Sequence, residues 1–429
     1  MKRVLLKDIG KYLDKQVLAQ GWVSRIRKLG SITFVILRDR SGILQLVIEN
    51  LGAVNLRLED VIEVTGKVVT SVNAPEGVEI YVEDYKVIAK VTYEVLPFSL
   101  NQDKINAGLD VILDHRALSL RSMQNGATFK VQHHITTAFR EFFTAKYFTE
   151  IHTPKLVASG TEGGTELFEV EYFGKKVYLA QSPQLYKQMM VGAGFERVYE
   201  IGHVYRAEPH ETSRHINEYV SMDIEMGFIE SEQDLITIET EFMNHLFEHL
   251  NRHCSRELAV YHTKLTEVKT IPQFTLHEVQ EILMKKFNKQ SPLGDIDAEG
   301  EKMISQFAKE ETDCDFVFIT GFPTAKRPFY TMPASCNREV TKSFDLLYKG
   351  LEITSGGQRI HDYHQLCTNI QNCGMHPENF KSYLDVFKYG MPPHGGFAIG
   401  LERLTMKLLE LRNIREATLL PRDRSRVTP

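Results

Sequence analysis

Short runs in which β-branched residues alternate with polar ones crowd the first hundred positions: Val17–Val23, Ile32–Leu37, Ile43–Ile48, Val61–Thr70 and Val78–Val82. Each stops at turn-forming residues such as Gly30, Arg40-Ser41-Gly42 or Asn73-Ala74-Pro75-Glu76-Gly77, so the pattern predicts five strands, with a helix at Leu6–Leu13 before them. Composition shifts near Pro97–Asn106, and the period then lengthens. Ile135, Ala138, Phe139, Phe142 and Phe143 recur at helical spacing and must stop before Thr153-Pro154. Leu235, Ile238, Phe242 and Leu246 predict a second amphipathic helix, and a last one runs from near Ile399 through Leu401, Leu404, Leu408 and Leu411. Residues 262–315 are more polar and read as a helical insertion. The expected organisation is a small β-barrel over 1–97, a linker over 98–125 and a large α+β domain over 126–429.

Composition changes this picture little. The 429 residues are 42% hydrophobic and 25% charged, as in average globular proteins, which excludes disorder and fibrous classes. No run approaches the roughly 18 apolar residues of a membrane span. Charge enters the N-terminal segment Met1–Asp8 too early for a secretory core, so a cytoplasmic protein is expected. Five scattered cysteines without a CxxC pair argue for reduced, buried thiols rather than a zinc or disulfide framework. The distribution of charge is more informative than its net value of −5: the first hundred residues carry 14 basic against 12 acidic side chains. Arg25, Arg27, Lys28, Arg38 and Arg40 cluster there with only Asp39 opposing them. A small basic barrel of this size suits the five-stranded OB-fold, which binds oligonucleotides.

Several enzyme classes are excluded by absence. Gly174-Lys175-Lys176-Val177 is no phosphate-binding loop, the glycines around Gly160 and Gly163 make no dinucleotide fingerprint, and no GxSxG or HExxH appears. Three constellations remain. Arg206, Glu208, Arg214, His215 and Tyr219, followed by Asp223 and Glu225, place cations and carboxylates along two apparent antiparallel strands. Arg206 and Glu208 are two apart, hence on one face of the first strand; a solvated salt-bridge ladder would read the same way. Gly400-Leu401-Glu402-Arg403 follows a glycine-rich stretch that lets a ligand approach the backbone, although Arg403 alone reads equally as an exposed helix residue. Asp345 and Glu352, with Ser355 nearby, offer oxygen ligands suited to Mg²⁺, or are simply surface carboxylates.

Together these three constellations resemble the motifs of class II aminoacyl-tRNA synthetases, and specifically the short, archaeal-type aspartyl-tRNA synthetases. Phe129–Leu156 is similar to the first motif, Phe195–Phe228 to the second and Gly400–Arg403 to the third, so the resemblance spans nearly the whole chain. It implies a class II catalytic domain built on an antiparallel sheet flanked by helices. It also implies ATP as substrate and Mg²⁺ as cofactor. By that resemblance Arg206 contacts the α-phosphate and the substrate carboxylate, and Arg214 and Arg403 hold the outer phosphates. Glu208, His215, Tyr219, Glu352 and Gly400 complete the ATP site, and Asp345, Glu352 and Ser355 place the metal. Gln181–Gln188 is similar to the aspartyl family's binding loop. Lys187 and Arg359 would pair with the side-chain carboxylate of L-aspartate. Glu162, Ser182, Gln184 and Asp223, with Ser355 beside them, would hold the rest, under a lid at 158–168. Two cations facing one carboxylate disfavour neutral asparagine.

In the barrel the resemblance implies that Phe34 and Gln45 meet the central anticodon base of tRNA(Asp), with Arg27 and Glu79 on neighbouring nucleotides; Phe34 as plain core is the alternative. Ser24 and Pro75 depart from the aspartate-strict members, which tend to carry Trp and Lys there. That departure implies a relaxed enzyme charging tRNA(Asn) as well, whose product needs an amidotransferase. The first motif implies a homodimer. The rival expectations are an asparaginyl-tRNA synthetase, which would usually lack Lys187, and a non-catalytic RNA-binding paralogue, which would usually lose one of the arginines or metal carboxylates.

Overall fold

A computed structural model describes residues 1–49, 54–102, 104–158, 166–268 and 270–429, in two units, Met1–Ser122 and Met123–Pro429. In the first unit β1 (Gln16–Leu29), β2 (Ile32–Asp39), β3 (Gly42–Ile48), β4 (Val61–Thr70) and β5 (Val78–Ala89) close into a barrel in the order β1-β2-β3-β5-β4. Strict alternation does this: Val35, Leu37, Leu44, Leu46, Ile62, Val64 and Ile80 are buried inside while their neighbours face out. Gly66 permits the closure, since a Cβ there would strike the Tyr81 carbonyl on β5. The opening helix is a 3₁₀ turn, Leu6–Tyr12, whose Leu6 and Ile9 are buried three residues apart. The segment expected as linker carries α1 (Leu109–Asp114) and α2 (Arg116–Ser119), with Phe98, Leu100 and Ile105 in a small cluster of their own.

The second unit is organised by an eight-stranded sheet. Its strands are β6 (Thr149–Glu150), β10 (Arg197–Tyr205), β11 (Glu218–Gly227), β12 (Gln273–Thr275), β13 (Phe316–Thr320), β14 (Ser343–Tyr348), β15 (Leu351–Arg359) and β16 (His394–Gly400), ordered β12-β13-β14-β15-β16-β11-β10-β6. Between them, β7 (Leu156–Val157), β8 (Glu169–Tyr172) and β9 (Lys175–Leu179) form a separate small sheet. The six inner strands of the large sheet are antiparallel, as expected, but β6 and β12 add parallel edges. The long α3 (Met123–Ala145) packs with α5 (Glu232–His253) over a core of Phe139, Phe143, Phe242, Leu246 and Phe397. Ser231 and Asp234 close α5 with a capping box. The other helices are α4 (Gln184–Met190), α6 (Ser255–Val260), α7 (Leu276–Phe287), α8 (Ala298–Thr312), α9 (Tyr363–Asn372), α10 (Lys381–Lys388) and α11 (Leu401–Leu408).

The last helix begins later than the apolar spacing predicts. Ile399 belongs to β16, paired with Met222 and Thr354, so the helix starts only after Gly400. The insertion expected at 262–315 contains α7 and α8 and also lends β12 to the main sheet. All five cysteines are free; Cys254 and Cys314 are buried, whereas Cys336 and Cys373 are exposed. Among the described residues no helix is long and apolar enough to cross a membrane.

Candidate active site and nucleic-acid face

A cleft of about 220 Å³ opens on the sheet where β11, β15, β16 and α11 converge. Among the described residues it is lined by Ser182, Gln184, Arg206, Glu208, Arg214, His215, Tyr219, Asp223, Glu352, Ser355, Arg359, Gly400 and Arg403, all expected from the sequence. Lys187 and Asp345 stand behind this lining. Glu162, and with it much of the expected lid, lies outside the described residues.

The closed end is a buried quartet of two cations and two carboxylates. Lys187 Nζ lies 3.0 Å from Asp223 Oδ1 and 3.5 Å from Glu225 Oε2. Arg359 Nε donates to Glu225 Oε1 at 3.0 Å, and its Nη2 donates to the Gly396 carbonyl at 2.9 Å and to Gln184 Oε1 at 3.3 Å. Burial would raise the Glu225 carboxyl, but Arg359 and Lys187 outweigh it and hold the group below the usual range. Lys187 therefore reaches the cleft through Asp223, which lines it, whereas Arg359 lines it directly. Gly396 makes the close packing possible, because a Cβ there would meet the Glu225 carboxylate. Gln188 Nε2 donates to His394 Nε2 at 2.8 Å while His394 Nδ1 faces the Pro392 carbonyl. Burial pushes this imidazole down to about 4, so it is neutral at pH 7 and fixes Gln188 rather than carrying charge.

The hairpin motif differs in detail from the expected strand face. β10 ends at Tyr205, so Arg206 and Glu208 sit in the following loop; they still face one another at 3.7 Å, and the Arg206 guanidinium lies over the Tyr219 ring. Asn217 holds the loop by donating to the carbonyls of both Arg206 and Glu208, at 2.7 and 2.9 Å. Arg214 is paired at 2.8 Å with Glu301 of α8, a partner the sequence reading did not single out. Arg403 Nη1 donates to the Glu352 carbonyl at 3.1 Å. Burial and the charge of Arg403 lower the His215 imidazole, which keeps it neutral.

Arg327 is the main residue missed. It lies beside the expected metal ligands, with Nη2 at 2.8 Å from Asp345 Oδ2 and Nη1 at 3.1 Å from Ser355 Oγ. Its only sequence signal was a charge next to Pro328. Asp345 and Ser355 are register partners on β14 and β15, and Asp345 Oδ1 is buried with no hydrogen-bond partner. Burial and the Asp345 charge push the Glu352 carboxyl up. An unsatisfied carboxylate oxygen beside a second carboxyl strained by like charge suits a hard divalent cation. Five arginines line the cleft in all, a density that favours a polyanionic ligand.

On the barrel, Arg27 pairs across strands with Phe34, and Gln45 pairs with Glu79. Phe34 is half-buried on the outer face, outside the core that Val35 and Leu37 enter. Gln45 Nε2 donates to Glu79 Oε2 at 2.7 Å. Arg27 and Phe34 thus share one row over β1 and β2, and Gln45 and the buried Glu79 share the next over β3 and β5, because Phe34 is opposite Val47 and Gln45 is opposite Ile36. Ser24 occupies a bulge where β1 slips register between Val23 and Arg25, and Pro75 is exposed in the turn before β5.

The sequence model of the class II tRNA synthetases for D, K and N matches residues 108–424, and that of the OB-fold nucleic acid binding domain matches 17–88. The chain belongs to the class II tRNA synthetases. Within this family it is 45% identical to the aspartate--tRNA(Asp/Asn) ligase of Deinococcus radiodurans, over all of this chain and 99% of that one. It is 43% identical to the aspartate--tRNA(Asp) ligase of Pyrococcus abyssi, over 97% and 96% of the two chains. The crystal structure of asparaginyl-tRNA synthetase from Pyrococcus horikoshii with asparaginyl-adenylate superposes with a TM-score of 0.93 at 29% identity, covering both chains fully. The synthetase scaffold is therefore common to enzymes for both amino acids, and the distinction between them rests on side chains.

Proposed function

We propose that this synthetase activates L-aspartate with ATP and transfers it to tRNA(Asp) and to tRNA(Asn). The observation that carries the reading is the buried Lys187–Asp223–Glu225–Arg359 quartet at the end of an arginine-lined cleft. The ionised α-carboxylate needs no protein nucleophile; it needs alignment and relief of phosphate charge. Its oxygen forms a bond to the α-phosphorus as the bond to the leaving diphosphate breaks. A ribose hydroxyl of the tRNA end then attacks the acyl carbon, and AMP leaves.

In this reading Arg206 stabilises the α-phosphate, and Arg214 and Arg403 hold the outer phosphates. Glu208, His215, Tyr219 and Gly400 shape the nucleoside end. Ser182, Gln184 and Asp223 orient the amino group. Arg359, backed by Lys187, meets the side-chain carboxylate, and a neutral asparagine amide would leave that cationic end uncompensated. Asp345, Glu352 and Ser355 would hold Mg²⁺, which supplies charge neutralisation on the phosphates. Arg327, already bridging two of these groups, positions them. Arg27 and Phe34 on one row of the barrel, with Gln45 and Glu79 on the next, offer a stacking ring and an amide to unstacked anticodon bases.

Ser24 and Pro75 carry the extension to tRNA(Asn), whose aspartylated form requires an amidation reaction before it is useful. The chain acts as a homodimer through its first motif. Amino-acid-dependent ATP–diphosphate exchange tests the activation step: exchange with aspartate and not with asparagine supports the proposal. Exchange with asparagine alone makes the chain an asparaginyl enzyme, and no exchange makes it a paralogue without catalysis.

A further inference from the structure

Far along the packed pair α3 and α5, a second cluster of chemistry-bearing side chains lies outside the cleft. His245 and His249 stand one turn apart on α5, and Glu141 faces them from α3. One ligand atom from each lies within 4.8 Å of the others, and among the described residues this is the one group of three such side chains so arranged. His249 is buried, with Nδ1 at 3.1 Å from Glu141 Oε2. A tetrahedral ion about 2.0–2.2 Å from each ligand sets nitrogen and oxygen ligands roughly 3.3 Å apart, close to this separation.

The surroundings are those of a supported site. His249 Nε2 lies 3.1 Å from His134 Nδ1, so a proton held there leaves Nδ1 with its lone pair directed at the Glu141 side. His134 is in turn stacked on His253. His245 Nε2 is buried with no hydrogen-bond partner, an unmet requirement that ligation or a change of ring orientation would relieve. The Glu141 side chain is 55% exposed in the single chain.

We infer that Glu141, His245 and His249 bind one divalent transition-metal ion of the zinc type, with His134 as the hydrogen-bonding support of His249, clamping α3 to α5. Two imidazoles and a carboxylate select Zn²⁺, Co²⁺ or Ni²⁺ over Mg²⁺.

The test is calorimetric titration of the chelator-stripped, Mg²⁺-restored protein with ZnCl₂ and with CoCl₂ at pH 7.5, with the melting temperature followed in parallel. One equivalent bound, with a rise in melting temperature, is expected. Glu141→Gln and His245→Ala should each weaken binding at least about 10-fold, and His134→Ala by about 10- to 100-fold, with aspartate-dependent ATP–diphosphate exchange unchanged in Mg²⁺. Because Glu141 is exposed, its variant tests the site even if a histidine variant fails to fold. The inference is overturned if Zn²⁺ binds equally to the wild type and Glu141→Gln, or if the wild type binds no Zn²⁺ below about 100 μM.

Discussion

Replacing Arg359 by lysine keeps the charge at the closed end of the cleft and removes only the guanidinium fork. Arg359 Nε meets Glu225 Oε1 at 3.0 Å, and Nη2 reaches the Gly396 carbonyl at 2.9 Å and Gln184 Oε1 at 3.3 Å. An ammonium on a flexible stem keeps the ion pair but not all three directions, and two charge-assisted bonds at about 1.5 kcal/mol each are lost. The deficit of about 3 kcal/mol corresponds to roughly a 100-fold fall in kcat/KM for aspartate, measured by ATP–diphosphate exchange. The KM for ATP should stay within about 3-fold, because Arg206, Arg214 and Arg403 make their contacts elsewhere. Glu225 remains paired, so the variant folds, with a lower melting temperature. An aspartate kcat/KM within about 3-fold of wild type, or a parallel loss of ATP affinity, would refute the role given to this residue.

Other perturbations separate the parts of the molecule. Phe34→Ala should raise the KM for tRNA by about 5- to 100-fold through lost stacking while leaving aspartate-dependent exchange intact. Ser24→Trp combined with Pro75→Lys should suppress charging of tRNA(Asn) more than that of tRNA(Asp), measured with separate transcripts. Glu239 on α5 is fully buried, and its carboxyl is pushed up to about 8. The native state therefore binds a proton that the unfolded chain has lost, and this group's contribution to stability falls as pH rises from about 4.5 to 8. Glu239→Gln should flatten that dependence in denaturant melts and be about 2 kcal/mol more stable at pH 7.5; equal pH profiles would contradict it.

What the sequence announces is what periodicity can encode. The barrel strands and the helices around Phe139 and Phe242 start or end near their predicted positions because one face of each is uniformly apolar. The edges β6 and β12 have only two and three residues, too few to show a period, and so the parallel rims were not foreseen. Ile399 adjoins the apolar run of the last helix, but two residues before Leu401 is the strand period, and pairing with Met222 puts it in β16. In the site, residues belonging to a spaced motif were legible, such as Arg206, Asp223 and Arg403. Arg327, Glu301 and Asn217 were not. Each sits among other polar residues that mask it, and its meaning comes only from the distant side chain or carbonyl it meets.

Charging separate tRNA(Asp) and tRNA(Asn) transcripts, each with aspartate and with asparagine, decides between these specificities. Aspartate is expected on both tRNAs and asparagine on neither. Aspartate on tRNA(Asp) alone would contradict the reading of Ser24 and Pro75, and asparagine on tRNA(Asn) would contradict the role given to Lys187 and Arg359.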